Sequence, residues 1–151
     1  LILYLDTSAL VKLYVRERGS ANVRRLVEKA DAVATSIVAY AEARAAFARL
    51  RRERPSGGGR HRERVEQLDR DWEQFAVVEL TQAVAHSAGE LAERHALRGF
   101  DAIHLASALW LKGTRADDLA FEAFDRPLTA GAKSAGLTVA GPAASARRRP
   151  S

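Results

Sequence analysis

Four carboxylates offer this sequence its most specific chemistry. Asp6 follows an apolar run in LILYLDTSALVKLY, Glu42 falls within SIVAYAEARAAF, Asp101 opens DAIHLASALWLK, and Asp125 directly follows DLAFEAF. Glu42 has Val38, Ala45 and Ala46 as its i−4, i+3 and i+4 neighbours, so it sits on an apolar helix face and wants a partner. No nearby stretch supplies four compensating bases. If the four acids converge, mutual repulsion raises their pKa values unless a cation neutralises them. An all-oxygen ligand set suits a hard ion, Mg²⁺ or Mn²⁺. Each acid also has an ordinary alternative role: helix N-cap for Asp6 and Asp101, rim residue for Glu42, turn former for Asp125. The separations along the chain do not by themselves bring the acids together.

The elements that must position these acids follow from hydrophobic periodicity. Residues 2–5 read as a short buried strand, and residues from Ser8 as a helix with Leu10, Val11, Leu13 and Tyr14 apolar. A second helix spans about 20–30, a strand 32–36, and a long helix about 37–54 that Pro55 and the following Ser-Gly-Gly-Gly stop as a flexible hairpin tip. A charged helix from 60 to about 75 returns antiparallel. A strand over 76–80, a helix capped by Thr81 and running to about 97, and a turn at Arg98-Gly99 lead to a helix over 101–112 that is apolar almost all round, as a central buried helix should be. The segment 118–124 alternates as a strand with Leu119, Phe121 and Ala123 on one side; a helix to Gly136 and a strand over 137–140 complete the set. Strands alternating with helices predict a three-layer α/β/α sandwich on a mainly parallel sheet of four to five strands, a single domain over 1–140 with a disordered basic tail over 141–151. Open parallel sheets bind ligands at the carboxyl ends of their strands, where Asp6 and Asp125 are expected.

Charge is unevenly spread. The chain of 151 residues carries a net +5, yet residues 44–64 hold eight arginines against two glutamates, a local net of +6, and the remainder nets −1. Arg44, Arg49, Arg51 and Arg52 are the candidate contacts to a nucleic-acid backbone; the ordinary alternative is a solvated helix face. Absence of cysteine excludes thiolate chemistry and cysteine-ligated zinc. No apolar run reaches the roughly 20 residues of a membrane span, and the apolar start lacks a basic flank, so a cytoplasmic protein is expected.

Taken in order, LYLDTSALVKLY, Glu42 in its helix, GFDAIHLASAL and AFDRPLTAGAKSAGLTV resemble the PIN-domain family, and within it the VapC-type toxins of bacterial toxin–antitoxin pairs. The resemblance spans residues 1 to about 140. It implies a strand order of 3-2-1-4-5, an Mg²⁺- or Mn²⁺-dependent endoribonuclease, an acidic quartet of Asp6, Glu42, Asp101 and Asp125, frequent homodimers, and an antitoxin partner that often inserts a basic side chain among the acids. Many relatives carry Thr or Ser two residues before the last acid, where this chain has Ala123; Asp117 or Asp118 is the fallback fourth acid, although Asp118 would begin the strand rather than end it.

Thr7 and Ser8 are candidates to give a hydroxyl or backbone N–H to substrate, with Ser8 as first-helix cap the alternative. His104, one turn into the buried helix, reads as a satisfied core histidine. Phe47 and Leu50 on the arginine-rich helical hairpin are candidate dimer or antitoxin contacts. A catalytically inactive PIN-like binding module is the competing function. A dehalogenase-like phosphatase needs a second Asp where Ser8 stands.

Overall fold

The computed structural model describes residues 1–54, 58–115 and 118–141. The expected tail beyond residue 141, part of the proposed hairpin tip and Asp117 lie outside the described residues. Twelve elements follow one another: β1 (Ile2–Leu5), α1 (Thr7–Val11), α2 (Ser20–Lys29), β2 (Ala32–Ser36), α3 (Val38–Glu53), α4 (Gly58–Trp72), β3 (Ala76–Val78), α5 (Gln82–His95), α6 (Gly99–Arg115), β4 (Leu119–Glu122), α7 (Arg126–Ser134) and β5 (Thr138–Val139). The strands form one sheet in the order β3-β2-β1-β4-β5, every pairing parallel. The expected fold and strand order are both present.

Side-chain alternation along the two central strands divides the core. Tyr4, Leu119 and Phe121 enter one cluster with Leu105 and Ala108 of α6 and Leu128 of α7. Leu3, Leu5 and Ala120 enter the other with Leu10, Val23, Phe47 and Leu68. Tyr4 and Phe121, paired across β1 and β4, stack with ring centroids 5.4 Å apart. Full burial of side chains of this size stabilises by about 1.5–3 kcal/mol each. Phe47 is fully buried and its ring meets Tyr14 edge-on, so it belongs to this core rather than to a dimer or antitoxin surface. Its neighbours in that cluster include Leu10 of α1 and Leu68 of α4.

Element boundaries shift in ways that matter at the strand ends. The capping residue of α1 is Asp6, not Ser8. Strand β3 stops at Val78, leaving Leu80 exposed. Helix α6 begins at Gly99, which puts Asp101 in its first turn. Strand β4 stops at Glu122, and Asp125 caps α7 instead of directly ending the strand. The expected alternation of β4 is only half of what is found: Leu119, Phe121 and Ala123 share one core, but Ala120 and Glu122 on the opposite side are buried as well. Helices cover both faces. Among the described residues no helix is long and apolar enough to cross a membrane.

Candidate active site

Parallel strands bring their carboxyl ends to one edge of the sheet, and Asp6 is the first residue beyond β1. Its backbone N–H donates to the Glu122 carbonyl at 3.2 Å, and its Oδ1 accepts from the Ala9 N–H at 2.9 Å and the Ser8 hydroxyl at 2.7 Å. The side chain is buried. Burial pushes its pKa above the usual carboxylate value and Asp101 pushes the same way, against His104, the Ala9 N–H and the Ser8 hydroxyl.

Glu42, half-buried near the start of α3, accepts from the Thr7 hydroxyl, and its Oε1 lies 3.1 Å from His104 Nε2. The same Nε2 is 2.9 Å from Thr7 Oγ1, and Nδ1 is 3.0 Å from the Tyr4 hydroxyl. An ionised Glu42 only accepts, so the Thr7 hydroxyl and Nε2–H both donate toward it, while Nδ1 and the Tyr4 hydroxyl pair on the far side of the ring. Burial opposes the charge of Glu42, yet the hydrogen bonds from His104 and Thr7, with the charges of His104 and Arg98, outweigh it and hold the carboxyl below its ordinary value.

Asp101 and Asp125 meet through Arg98. The guanidinium Nε is 3.1 Å from Asp101 Oδ2, and Nη2 is 3.9 Å from Asp125 Oδ1. Asp125 is itself held by accepting the Leu128 N–H at 3.1 Å. Asp101, Asp125 and Glu42 all raise the pKa of Arg98, with the Asp101 hydrogen bond first among them. The four predicted acids therefore share one electrostatic neighbourhood, linked by Arg98 and His104.

Four carboxylates match the hard-oxygen donor chemistry of Mg²⁺ or Mn²⁺. As the side chains stand, no group of three or more His, Asp or Glu among the described residues is gathered closely enough to hold an ion. Arg98 bridges two of the acids, and its side chain is 82% exposed, so its displacement costs little packing.

The other candidates divide. The Thr7 hydroxyl is engaged by Glu42 and His104. The Ser8 hydroxyl donates to Asp6 and accepts the Phe124 N–H at 3.1 Å. Arg44 bonds the Tyr40 hydroxyl, Arg49 pairs with Glu53, and Arg51 and Arg52 are exposed in the last turn of α3. At about 1.5 Å per residue, Arg49 and Arg52 lie about 10 and 15 Å along the helix axis from Glu42, so the structure does not gather them with the acids. Asp118, the fallback acid, sits before β4 at the opposite end of the sheet, 3.7 Å from the amino terminus of Leu1.

The PIN domain family model matches residues 3–128, a span that contains all four acids. The chain belongs to the PIN domain family. Among the proteins it resembles, Ribonuclease VapC45 of Mycobacterium tuberculosis is 41% identical over 143 residues, covering 92% of this chain and 94% of that protein. The structure of Mycobacterium tuberculosis VapC20, described as a sarcin-ricin loop cleaving toxin, superposes with a TM-score of 0.63 at 21% identity, covering 90% of this chain and 96% of that one. A toxin-antitoxin complex from Klebsiella pneumoniae gives a TM-score of 0.60 at 18% identity, covering 82% of this chain and 86% of that chain. At those identities the superpositions establish the PIN fold.

At this PIN-domain strand edge sequence reasoning missed Glu122 and the partners of Arg98 and His104. Arg98 had a signal in its i, i+3 spacing to Asp101. His104 was recognised as satisfied, but not that Glu42 helps satisfy it. Glu122 gave none, because a glutamate alternating with apolar residues reads as solvent-facing; it is 3% exposed, and its Oε2 has no hydrogen-bond partner. Burial, with Asp6 adding and the Ala123 N–H opposing, pushes its pKa up to about 7.

Proposed function

We propose that this chain is an endoribonuclease, the toxin of a toxin–antitoxin pair, and that Asp6, Glu42, Asp101 and Asp125 hold the Mg²⁺ or Mn²⁺ on which cleavage depends. The observation that carries the reading is the meeting of four carboxylates from separate parts of the chain around Arg98 and His104. Similarity to a protein named a ribonuclease supports RNA as the substrate.

A divalent ion held by these acids supplies Lewis acidity toward a phosphoryl oxygen and a water that is nucleophilic at neutral pH. The chain's own residues prepare the rest. The Ala9 N–H and Ser8 hydroxyl fix the direction of Asp6, and the Tyr4–His104–Thr7 chain fixes Glu42 in its ionised form, ready to orient water or accept its proton. Arg98 is the cation placed to exchange its carboxylate partners for a substrate phosphate. Phe100, beside Asp101, and Phe124, beside Asp125, are 57% and 42% exposed and offer aromatic surface to unstacked bases. The cognate antitoxin covers this edge, and the active form is a homodimer.

Incubation of total cellular RNA with purified protein in Mg²⁺, Mn²⁺ or EDTA, beside Asp6→Asn and Asp101→Asn, tests the reading. Discrete fragments that need metal and vanish in both variants are expected. A second reading, a binding module without catalysis, is favoured by two observations: Arg98 already pairs with Asp101, and among the described residues no three acids are gathered around a point. RNA binding by folded, antitoxin-free protein without cleavage in either metal selects it.

A further inference from the structure

Beside the acidic site, across the end of β4, lies a cavity of about 1020 Å³ that the quartet does not use. Glu122 lines it from the strand, Phe124 and Arg126 from the connection into α7, Lys133 from α7, and Lys12 and Arg18 from the segment between α1 and α2. The cavity is continuous in sequence and in hydrogen bonding with the candidate active site: Asp125 falls between Phe124 and Arg126, and the Phe124 N–H donates to the Ser8 hydroxyl that holds Asp6. Gly19 closes it at the back with φ +93°, and a Cβ there would approach within 2.7 Å of the Phe124 ring, so the aromatic side chain is seated in a gap that only glycine leaves.

Four cations and one buried acid line the same cavity. Lys12 is paired with Glu17 at 2.9 Å and lies 4.3 Å from the Phe124 ring centroid, but Arg18, Arg126 and Lys133 make no ion pair among the described residues. Glu122, 3% exposed, leaves Oε2 without a hydrogen-bond donor. A buried carboxyl in that condition is costly unless a ligand completes it. The cationic rim disfavours an incoming lysine or arginine and favours a molecule that is anionic at one end and offers N–H groups at the other.

A nucleotide has both ends. Resting on the ribonuclease reading above, we propose that this cavity receives the nucleotide next to the scissile phosphodiester, with Arg18, Arg126 and Lys133 on its phosphate, Phe124 against its base and Glu122 accepting N–H groups from the base edge. The base that fits a carboxylate acceptor is guanine, whose N1–H and N2–H are adjacent donors. Adenine and cytosine place an acceptor beside their amino group, and the uracil N3–H is flanked by two carbonyls. Glu122 is thus a specificity residue.

Four RNA oligonucleotides that differ only in the base beside the cut, scanned on each side of it, test the assignment with the full chain. Guanine at one flanking position should raise kcat/KM at least tenfold over the other bases, Glu122→Gln should reduce that preference below threefold, and Lys133→Ala should raise KM about fivefold for all four. Glu122→Gln that cuts with the original base preference overturns the assignment and leaves the nuclease standing. A readout independent of cleavage is calorimetric binding of GMP, AMP, CMP and UMP to the wild-type chain in EDTA, with GMP at least fivefold tighter than the others. Tighter GMP binding by a chain that cuts no RNA supports the cavity and sinks the nuclease; equal binding of all four overturns the cavity. If Glu122→Gln leaves nucleotide selection intact and weakens antitoxin binding instead, the cavity docks protein and the proposal fails.

Discussion

Asp6 and Glu122 stand at the ends of adjacent strands and are equally buried, at 3% exposure each, yet they are held in opposite ways. Asp6 turns into the start of α1, where the Ala9 N–H and Ser8 hydroxyl satisfy it. Glu122 is still within β4, whose N–H groups are committed to the ladder, and Oε2 is left without a donor. A carboxylate just past a strand inherits the free N–H groups of the next helix, whereas one still inside the strand does not. Asp6 can therefore be part of a permanently built centre, and Glu122 is a group awaiting a ligand.

The largest expected effect breaks the Asp6 side of this contrast. Asp6→Asn keeps one acceptor for the Ala9 N–H but removes the charge, and should lower RNA cleavage by at least about 100-fold, roughly 2.7 kcal/mol of transition-state stabilisation. Its thermal unfolding should stay near that of the wild type, and a matching collapse of both would assign Asp6 a purely structural role. Thr7→Val sharpens the same side by freeing Glu42 from one of its two donors. Supporting hydrogen bonds of this kind are worth about 10–100-fold in activity at metal sites. Single-turnover cleavage with unchanged Kd for RNA is the expected pattern, and wild-type rates would show that His104 alone orients Glu42.

Glu122 supplies the converse. Its pKa is about 7 in the folded chain against an ordinary value of 4.5, so between those values the folded state binds more protons than the unfolded one, and stability falls as pH rises. The cost is fully present above pH 7 and absent below about 4.5. Glu122→Gln should therefore stabilise the protein by about 1–2 kcal/mol at pH 8, and by less at pH 5, after allowance for solvent reaching the cavity. Denaturant unfolding in EDTA at the two pH values measures it. Equal gains at both would mean that charge is not what makes Glu122 unfavourable.

These two carboxylates also mark what sequence can show. ILYL followed by Asp reads correctly as a strand end and a cap because both signals are local, and the apolar surround of α6 announces a central helix for the same reason. The family resemblance added strand order, which spacing does not encode. LAFE reads correctly as a strand with Leu119 and Phe121 on one side, but the burial of Ala120 and Glu122 on the other depends on helices packed over both faces, which alternation does not encode. Arg98 and His104 were named without their partners, since Asp125 and Glu42 lie 27 and 62 positions away along the chain. Tertiary pairing at that range leaves no periodic trace.

Arg98 gives the smallest and most discriminating test, because it is where the built centre imitates the unfilled one. Its guanidinium supplies Asp101 and Asp125 with the positive charge that a metal would otherwise provide. Exposed ion pairs of this kind are worth about 0–1 kcal/mol, so Arg98→Ala should barely move the unfolding midpoint. Losing that competitor should tighten Mn²⁺ binding about threefold by calorimetry, a gain of under about 1 kcal/mol, while cleavage slows if the same cation meets the phosphate. Weaker Mn²⁺ binding would instead mean that Arg98 holds the acids in place for the metal. That result would make the Asp101–Arg98–Asp125 bridge part of the framework, as the Ala9 N–H is for Asp6, and would leave Glu122 Oε2 as the buried carboxyl oxygen at this edge without a donor among the described residues.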